Sequence, residues 1–283
     1  MGTVFIAVVE RNIRGLPPEL KGRFEVVSPE DLSARLEELS RRGVRRVHLA
    51  FLGPRPVSLK IPPGMEIRDG REALSDLEAF PEPAEIEAQS FEILRGLCDL
   101  SRFPQALHPL VLRLVHAAGE LALAESLLIH PDFLPTARRL LKEGRAILTD
   151  VEMVRAGISR RLCEALGVKV YSALSEAESP PSGFTRTAWG LRRALEKYPE
   201  ISLLALGNAP TALLEALKIL RESPREVAVI GFPVGFVRAA EAKLLLAESP
   251  LPHLTNLGGF GGSALAAAAV NALLHMLHEE KAS

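Results

Sequence analysis

The residue with the widest chemical scope in this chain is His116, in the run "VLRLVHAAGE" (residues 111–120). Its neighbours are those of an apolar helix. Two readings fit: a histidine satisfied inside a core, or a proton donor held in a dry pocket. An imidazole suits the second role because it titrates at about 6.5 in water, close to working pH. Burial lowers that value and nearby carboxylates raise it, so an acidic ligand can help to charge its own acid. Spacing alone favours the core reading. The rival, His130 in "LLIHPDF", precedes Pro131 at a helix boundary and reads as a capping or surface residue.

Other candidates lie where apolar runs break. Asp150 ends the run "AILTD", where capping the next helix is the role its position favours. Arg186 in "FTRTAWG" has the planar fork that clamps a carboxylate, or is a solvated arginine at a helix start. In "GNAPTALLEAL", Gly207 allows a tight turn, Asn208 can cap, and Pro210 fits a first helical turn. That leaves amide N–H groups and the Thr211 hydroxyl facing outward, either an anion site or merely a well-capped helix. In "FPVGFV", Pro233 and Gly235 stiffen and open a strand-to-helix turn, with Lys243 further along. "GGFGGSALAAAA" sets four glycines before a small-residue helix, which lets a ligand or another backbone come close. A dinucleotide fingerprint would open a βαβ unit with an acidic residue about twenty positions on. Here a single helix follows. The hydrolase, P-loop and zincin signatures are missing, and the seven histidines are scattered.

These residues need a frame to hold them. Residues 1–80 alternate "VFIAVVE" (strand), "FEVVS" (strand), "PEDLSARLEELSRRG" (helix) and "VRRVHLAFLG" (strand). Pro29 opens the helix, Glu30 and Asp31 complement its dipole, and Gly43 stops it. The proline clusters "PRPVSLKIPPG" and "FPEPAE" then mark a domain boundary near residue 82. Beyond it, helical patterns occupy roughly 85–99 and 105–143. Next come strand-like runs "AILTD", "VKVYSAL", "SLLALGN", "EVAVIGF" and "PHLTNLG", with helices near 185–198, 209–222, 235–248 and 262–280. Short apolar strands separated by helices predict an α/β fold, a three-layer parallel sheet flanked by helices, with a small N-terminal α/β module. Ligands of such sheets bind at the carboxyl ends of the strands.

The totals narrow the function. At 283 residues, 24% charged and a net charge of -1, the chain lacks the basic excess of a nucleic-acid binder. Cys98 and Cys163 have no metal-type spacing and read as buried thiols of a reducing compartment. "MGTVFIAVVERN" is a β-like run rather than a signal peptide, and "ALAAAAVNALL" is too short to span a bilayer. A cytoplasmic protein with no nucleic-acid and no membrane partner is expected.

Seven segments, "IEAQSFEIL", "RLVHAAGE", "ILTDVEMVRAGI", "TRTA", "GNAPTALLEAL", "GFPVGFVRAAEAK" and "GGSALAAAAVNALL", resemble in this order the precorrin-8X methylmutase family over about 85–283. The resemblance implies an isomerase that moves a methyl group from C-11 to C-12 of a corrin-type ring. The product is hydrogenobyrinate, or cobyrinate if cobalt is already present. It further implies no metal and no redox cofactor, a homodimer, and a corrinoid substrate near the subunit interface. His116 matches the histidine of the family's H-x-x-G segment and is expected to be the general acid, which reverses the reading from spacing alone. Ser90, Arg113, Asp150, Met153, Thr185, Arg186, Asn208, Ala209, Thr211, Pro233, Val234, Gly235, Gly261, Gly262 and Ser263 are carried over as substrate-binding positions. Before the final "GGS" the family usually has basic residues, where this chain has "LGGFGGS". A corrinoid-binding protein without turnover and a nucleotide- or phosphate-binding α/β protein are the alternatives. For residues 1–80 the readings are a docking domain and, more plainly, an extension that buttresses the dimer.

Overall fold

The computed structural model describes residues 4–9, 25–52, 59–69 and 83–282. The prolines at 54 and 56, and the expected boundary near 82, fall outside them. The chain divides into two compact units, Met1–Ile86 and Glu87–Ser283.

In the first unit, β1 (Val4–Val9), β2 (Glu25–Val27), β3 (Arg46–Leu52) and β4 (Glu66–Asp69) form a parallel sheet in the order β2-β1-β3-β4. Its helix α1 runs Leu32–Arg41 and buries Leu32, Leu36 and Leu39, one face at helical spacing. Pro29–Asp31 form a turn before the helix, and Gly43 follows it at φ +82°. Strand β4 was not expected from the sequence. Its four residues, "EIRD", carry a single apolar side chain, so nothing in them alternates.

Helix α2 (Pro83–Leu97) leads into the second unit. The expected long helix over 105–143 is broken into a 3₁₀ turn (Gln105–Leu107), α3 (His108–Ala118), α4 (Leu123–Ser126), strand β5 (Leu127–Ile129) and α5 (Phe133–Lys142). Gly119, left-handed at φ +62°, stops α3. The residues before Pro131 turn extended, and β5 pairs antiparallel with the last strand.

The remaining strands are β6 (Ala146–Thr149), β7 (Val170–Ser172), β8 (Ile201–Leu206), β9 (Ala228–Gly231) and β10 (His253–Asn256). They run parallel in the order β5-β10-β9-β8-β6-β7. The sheet is therefore mixed, with β5 as its antiparallel edge. Successive side chains of a strand point to opposite faces. Leu203 and Ala205 of β8 accordingly join one core, while Leu204 and Leu206 join the other. The first core receives α3, α5, α6 (Glu152–Gly157), α7 (Arg160–Leu166) and α11 (Ser263–Ala282). The second receives α8 (Arg186–Lys197), α9 (Pro210–Glu222) and part of α10 (Ala239–Ala247). Asn271 of α11 accepts from Ser159 N–H and donates to the Gly157 carbonyl, both at 2.8 Å, which ties α11 to the α6–α7 junction.

Candidate active site at the carboxyl edge of the sheet

From β6 the chain moves out to β7, crosses back to β8, and continues through β9 and β10. Its direction thus reverses between β6 and β8, the place where open α/β sheets leave a crevice for ligands. Asp150, just past β6, spans that crevice. Its carboxylate accepts the backbone N–H of Gly207 (3.2 Å), Asn208 (2.7 Å) and Ala209 (2.7 Å), all just past β8. Asp150 is fully buried. Burial pushes its carboxyl above the usual range, and the three amide bonds oppose that rise without cancelling it.

This corrects three expectations. Asp150 does not cap the helix that follows it; it holds the turn that leads into α9. With no exposed surface it braces the crevice and does not reach a ligand. The amides of Asn208 and Ala209 are not open to an outside anion, because the protein's own carboxylate fills the place. The Asn208 side chain is nevertheless exposed. A Cβ on Gly207 would come 2.8 Å from Cα of Ser263, so only glycine lets the β8 turn meet the start of α11.

A hydroxyl cluster lies beside this turn. Thr185 Oγ1 is 2.8 Å from Thr211 Oγ1 and 3.2 Å from Thr187 Oγ1, and it accepts from Ala188 N–H as the N-cap of α8. Next to it Arg186 is exposed, with no hydrogen bond or ion pair to the described residues. Arg186 is thus a free donor at the edge of the crevice, beside hydroxyls that bond one another.

Two further turns, after β9 and β10, are sewn together. Gly235 N–H donates to the Gly259 carbonyl (3.1 Å) and Gly262 N–H to the Phe232 carbonyl (2.8 Å). A Cβ on Gly261 would lie 2.4 Å from the Phe232 carbonyl oxygen. The pairing leaves Pro233 buried but Val234, Phe236, Val237, Leu257 and Phe260 exposed, an apolar rim on paired turns. Ser263 is buried at the start of α11, and its hydroxyl has no partner. Met153, at the start of α6, is 70% exposed.

His116 stands in the last turn of α3. It is exposed, so it is neither a core histidine nor, within a single chain, enclosed in a dry pocket. The helix turns Leu114 and Val115 into the core and leaves the next position outside. The ring packs on Phe91 of α2 with centroids 5.2 Å apart, and the Arg113 guanidinium lies 5.3 Å over the same ring. Arg113 also pairs with Glu87 at 3.2 Å. Ser90, one residue before Phe91, is half-buried. Phe91, Arg113 and His116 thus form one group on α2 and α3. His108–Arg113 share a groove of about 320 Å³ with Ala272–Glu279 of α11. His130 accepts from Asp132 N–H, a local capping bond as expected. Cys98 and Cys163 are free and buried.

Two residues carry more weight than the sequence suggested. Arg238 has φ +64°, a left-handed value that is uncommon outside glycine, and is exposed without a partner among the described residues. Lys243 is fully buried, and burial lowers its ammonium to about 8. No spacing rule signals either one. Among the described residues no three His, Cys, Asp or Glu side chains gather as metal ligands, and no helix is long and apolar enough to cross a membrane.

The family model for precorrin-8X methylmutase matches residues 85–276. A precorrin-8X methylmutase of Sinorhizobium sp is 42% identical over 195 residues, 66% of this chain and 92% of that protein. A cobalt-precorrin-8 methylmutase of Priestia megaterium is 36% identical over 197 residues, 68% of this chain and 87% of the relative. Among solved structures, the precorrin-8X methyl mutase of Thermus thermophilus superposes with a TM-score of 0.65 at 29% identity, covering 70% of this chain and 97% of the other. With the model, the relatives and the superposition agreeing over the second unit, the chain belongs to the precorrin-8X methylmutase family.

Proposed function

We propose that this chain moves the C-11 methyl group of precorrin-8X, or of cobalt-precorrin-8, to C-12, giving hydrogenobyrinate or cobyrinate, with His116 as the general acid. Substrate and product are isomers. One C–C bond to the methyl carbon breaks at C-11 and one forms at C-12, and the ring's double bonds shift to match. The proton lent to a ring nitrogen is returned, so nothing is consumed and no nucleophile is needed. The protein's work is to hold the ring in the geometry of the shift and to lend that proton at the right moment.

The observation that carries this reading is the placing of His116. It is an exposed imidazole on a helix anchored in the core, seated on Phe91 beside Arg113. The apolar rim of Val234, Phe236, Val237, Leu257 and Phe260 suits a flat macrocycle. Thr185, Arg186, Thr211 and the Asn208 side chain are donors for its carboxylate arms, a role for which Arg238 is also free. The same rim supports a homodimer, in which a second copy and the substrate together cover His116. The cellular setting that fits is the cytoplasm.

The test is to add precorrin-8X, and separately its cobalt form, and to record the visible spectrum. A long-wavelength shift on conversion to hydrogenobyrinate or cobyrinate is expected. Tight binding of hydrogenobyrinate with no conversion would leave a corrinoid-binding protein instead. Light scattering of the purified protein checks the dimer.

A further inference from the structure

Lys243 is a buried cation that the proposed methyl shift does not use. Its ammonium donates to Asn256 Oδ1 (3.2 Å) and to the Phe260 carbonyl. Asn256, equally buried, donates from Nδ2 to the carbonyls of Leu257 (3.1 Å) and Phe260 (3.0 Å). Burial is the one influence on this lysine's charge, for no carboxylate among the described residues answers it. A charge buried without a counter-charge is costly, and an apolar side chain of similar length is the more stable occupant. Stability alone therefore does not account for a lysine here.

What the lysine reaches is the underside of the Leu257–Gly262 turn. That turn is bonded to the Phe232–Gly235 turn at two points, so its carbonyl anchor sets the shape of both. The sequence of the turn, "LGGFGG", has no basic side chain, so no cation of its own faces a ligand. We propose that Lys243 is a positioning residue for an anionic ligand: it fixes the turn from behind and leaves there a positive charge that a carboxylate arm lying on the front completes. This rests on the reading of the edge as a seat for a corrinoid with several carboxylates. Lys243 does not touch that ligand.

The test compares full-length wild type with Lys243→Met and Lys243→Gln, using hydrogenobyrinate as the binding probe and precorrin-8X as the substrate. Methionine removes bond and charge, whereas glutamine keeps a donor for the Phe260 carbonyl without the charge. For Lys243→Met we expect the Kd for hydrogenobyrinate and the KM for precorrin-8X to rise about tenfold or more. Its kcat stays within about threefold, and its melting temperature is equal or higher. Lys243→Gln falls between wild type and Lys243→Met. Should Lys243→Met fail to fold, Lys243→Gln alone carries the comparison. A folded variant with wild-type Kd and KM overturns the proposal, and so does a lowered melting temperature with affinity intact. Wild type that binds hydrogenobyrinate without turnover overturns the methylmutase reading alone. Wild type that does not bind it overturns both.

Discussion

The sheet edge and the His116 surface are held in opposite ways. At the edge, the turns after β6, β8, β9 and β10 are fixed from inside by two fully buried ions. Asp150 collects three amides on one side, and Lys243 with Asn256 anchors a carbonyl on the other. At the end of α3, the imidazole rests on Phe91, steadied by an arginine whose own partner, Glu87, is exposed. On the proposed function, the contrast separates a preorganised seat from a general acid left open. A flat ligand needs its cradle fixed beforehand, because ordering several turns on binding would cost affinity. A proton donor gains from an environment that changes when the substrate arrives, since its carboxylates then favour the charged imidazole.

Substitutions that break this contrast rank by expected size. Removing the acid has the largest effect: His116→Ala is expected to lower kcat by about 10²–10⁴-fold, the usual worth of a positioned general acid. Its affinity for hydrogenobyrinate should change little, and single-turnover spectra with a parallel binding titration check both. Asp150→Ala attacks the seat instead. It leaves three amides without an acceptor, each worth about 1–3 kcal/mol, so a stability loss of about 3 kcal/mol or more is expected by chemical denaturation. Arg113→Ala sharpens the comparison. The pair with Glu87 lies at the surface and contributes at most about 1 kcal/mol of stability. Yet loosening Phe91 beneath His116 should lower kcat on the order of tenfold, because small misplacements of a reacting group are costly.

The smallest effect is one of pH. Lys243 is lowered by burial to about 8, from the 10.5 of an ordinary lysine. Between those values the unfolded chain binds more protons than the folded one, so stability rises with pH across the window. Below about 8 the full cost of the buried charge is present. Melting curves from about pH 7 to pH 10 are expected to show wild type gaining on Lys243→Met by a few degrees.

The order of strands and helices from residue 146 onward was legible, because the parallel strands are buried on both faces and read as unbroken apolar runs bounded by Gly, Asn and Asp. The segment 105–143 was not. Three residues of strand, "LLI", between helices carry no period of their own, and only pairing with β10 makes them extended. A capping tendency was readable at Asp150, but not the turn it holds instead. The amides it binds come from 57 to 59 positions later and meet it only through the return across β6. Lys243 resembled any lysine on a helix, and its burial follows from how α10 lies on β10. His116 was found by its neighbours in sequence, whereas its exposure depends on which face of α3 the core claims.

The central claim is that the ring lies between the open imidazole of His116 and the braced turns. A crystal structure with hydrogenobyrinate bound tests it most directly. The account predicts a His116 ring nitrogen within hydrogen-bond reach of the macrocycle, about 2.6–3.2 Å. It also places carboxylate arms on Thr185, Arg186 and the Leu257–Gly262 turn. A macrocycle seated elsewhere, with His116 still in open solvent, would contradict it.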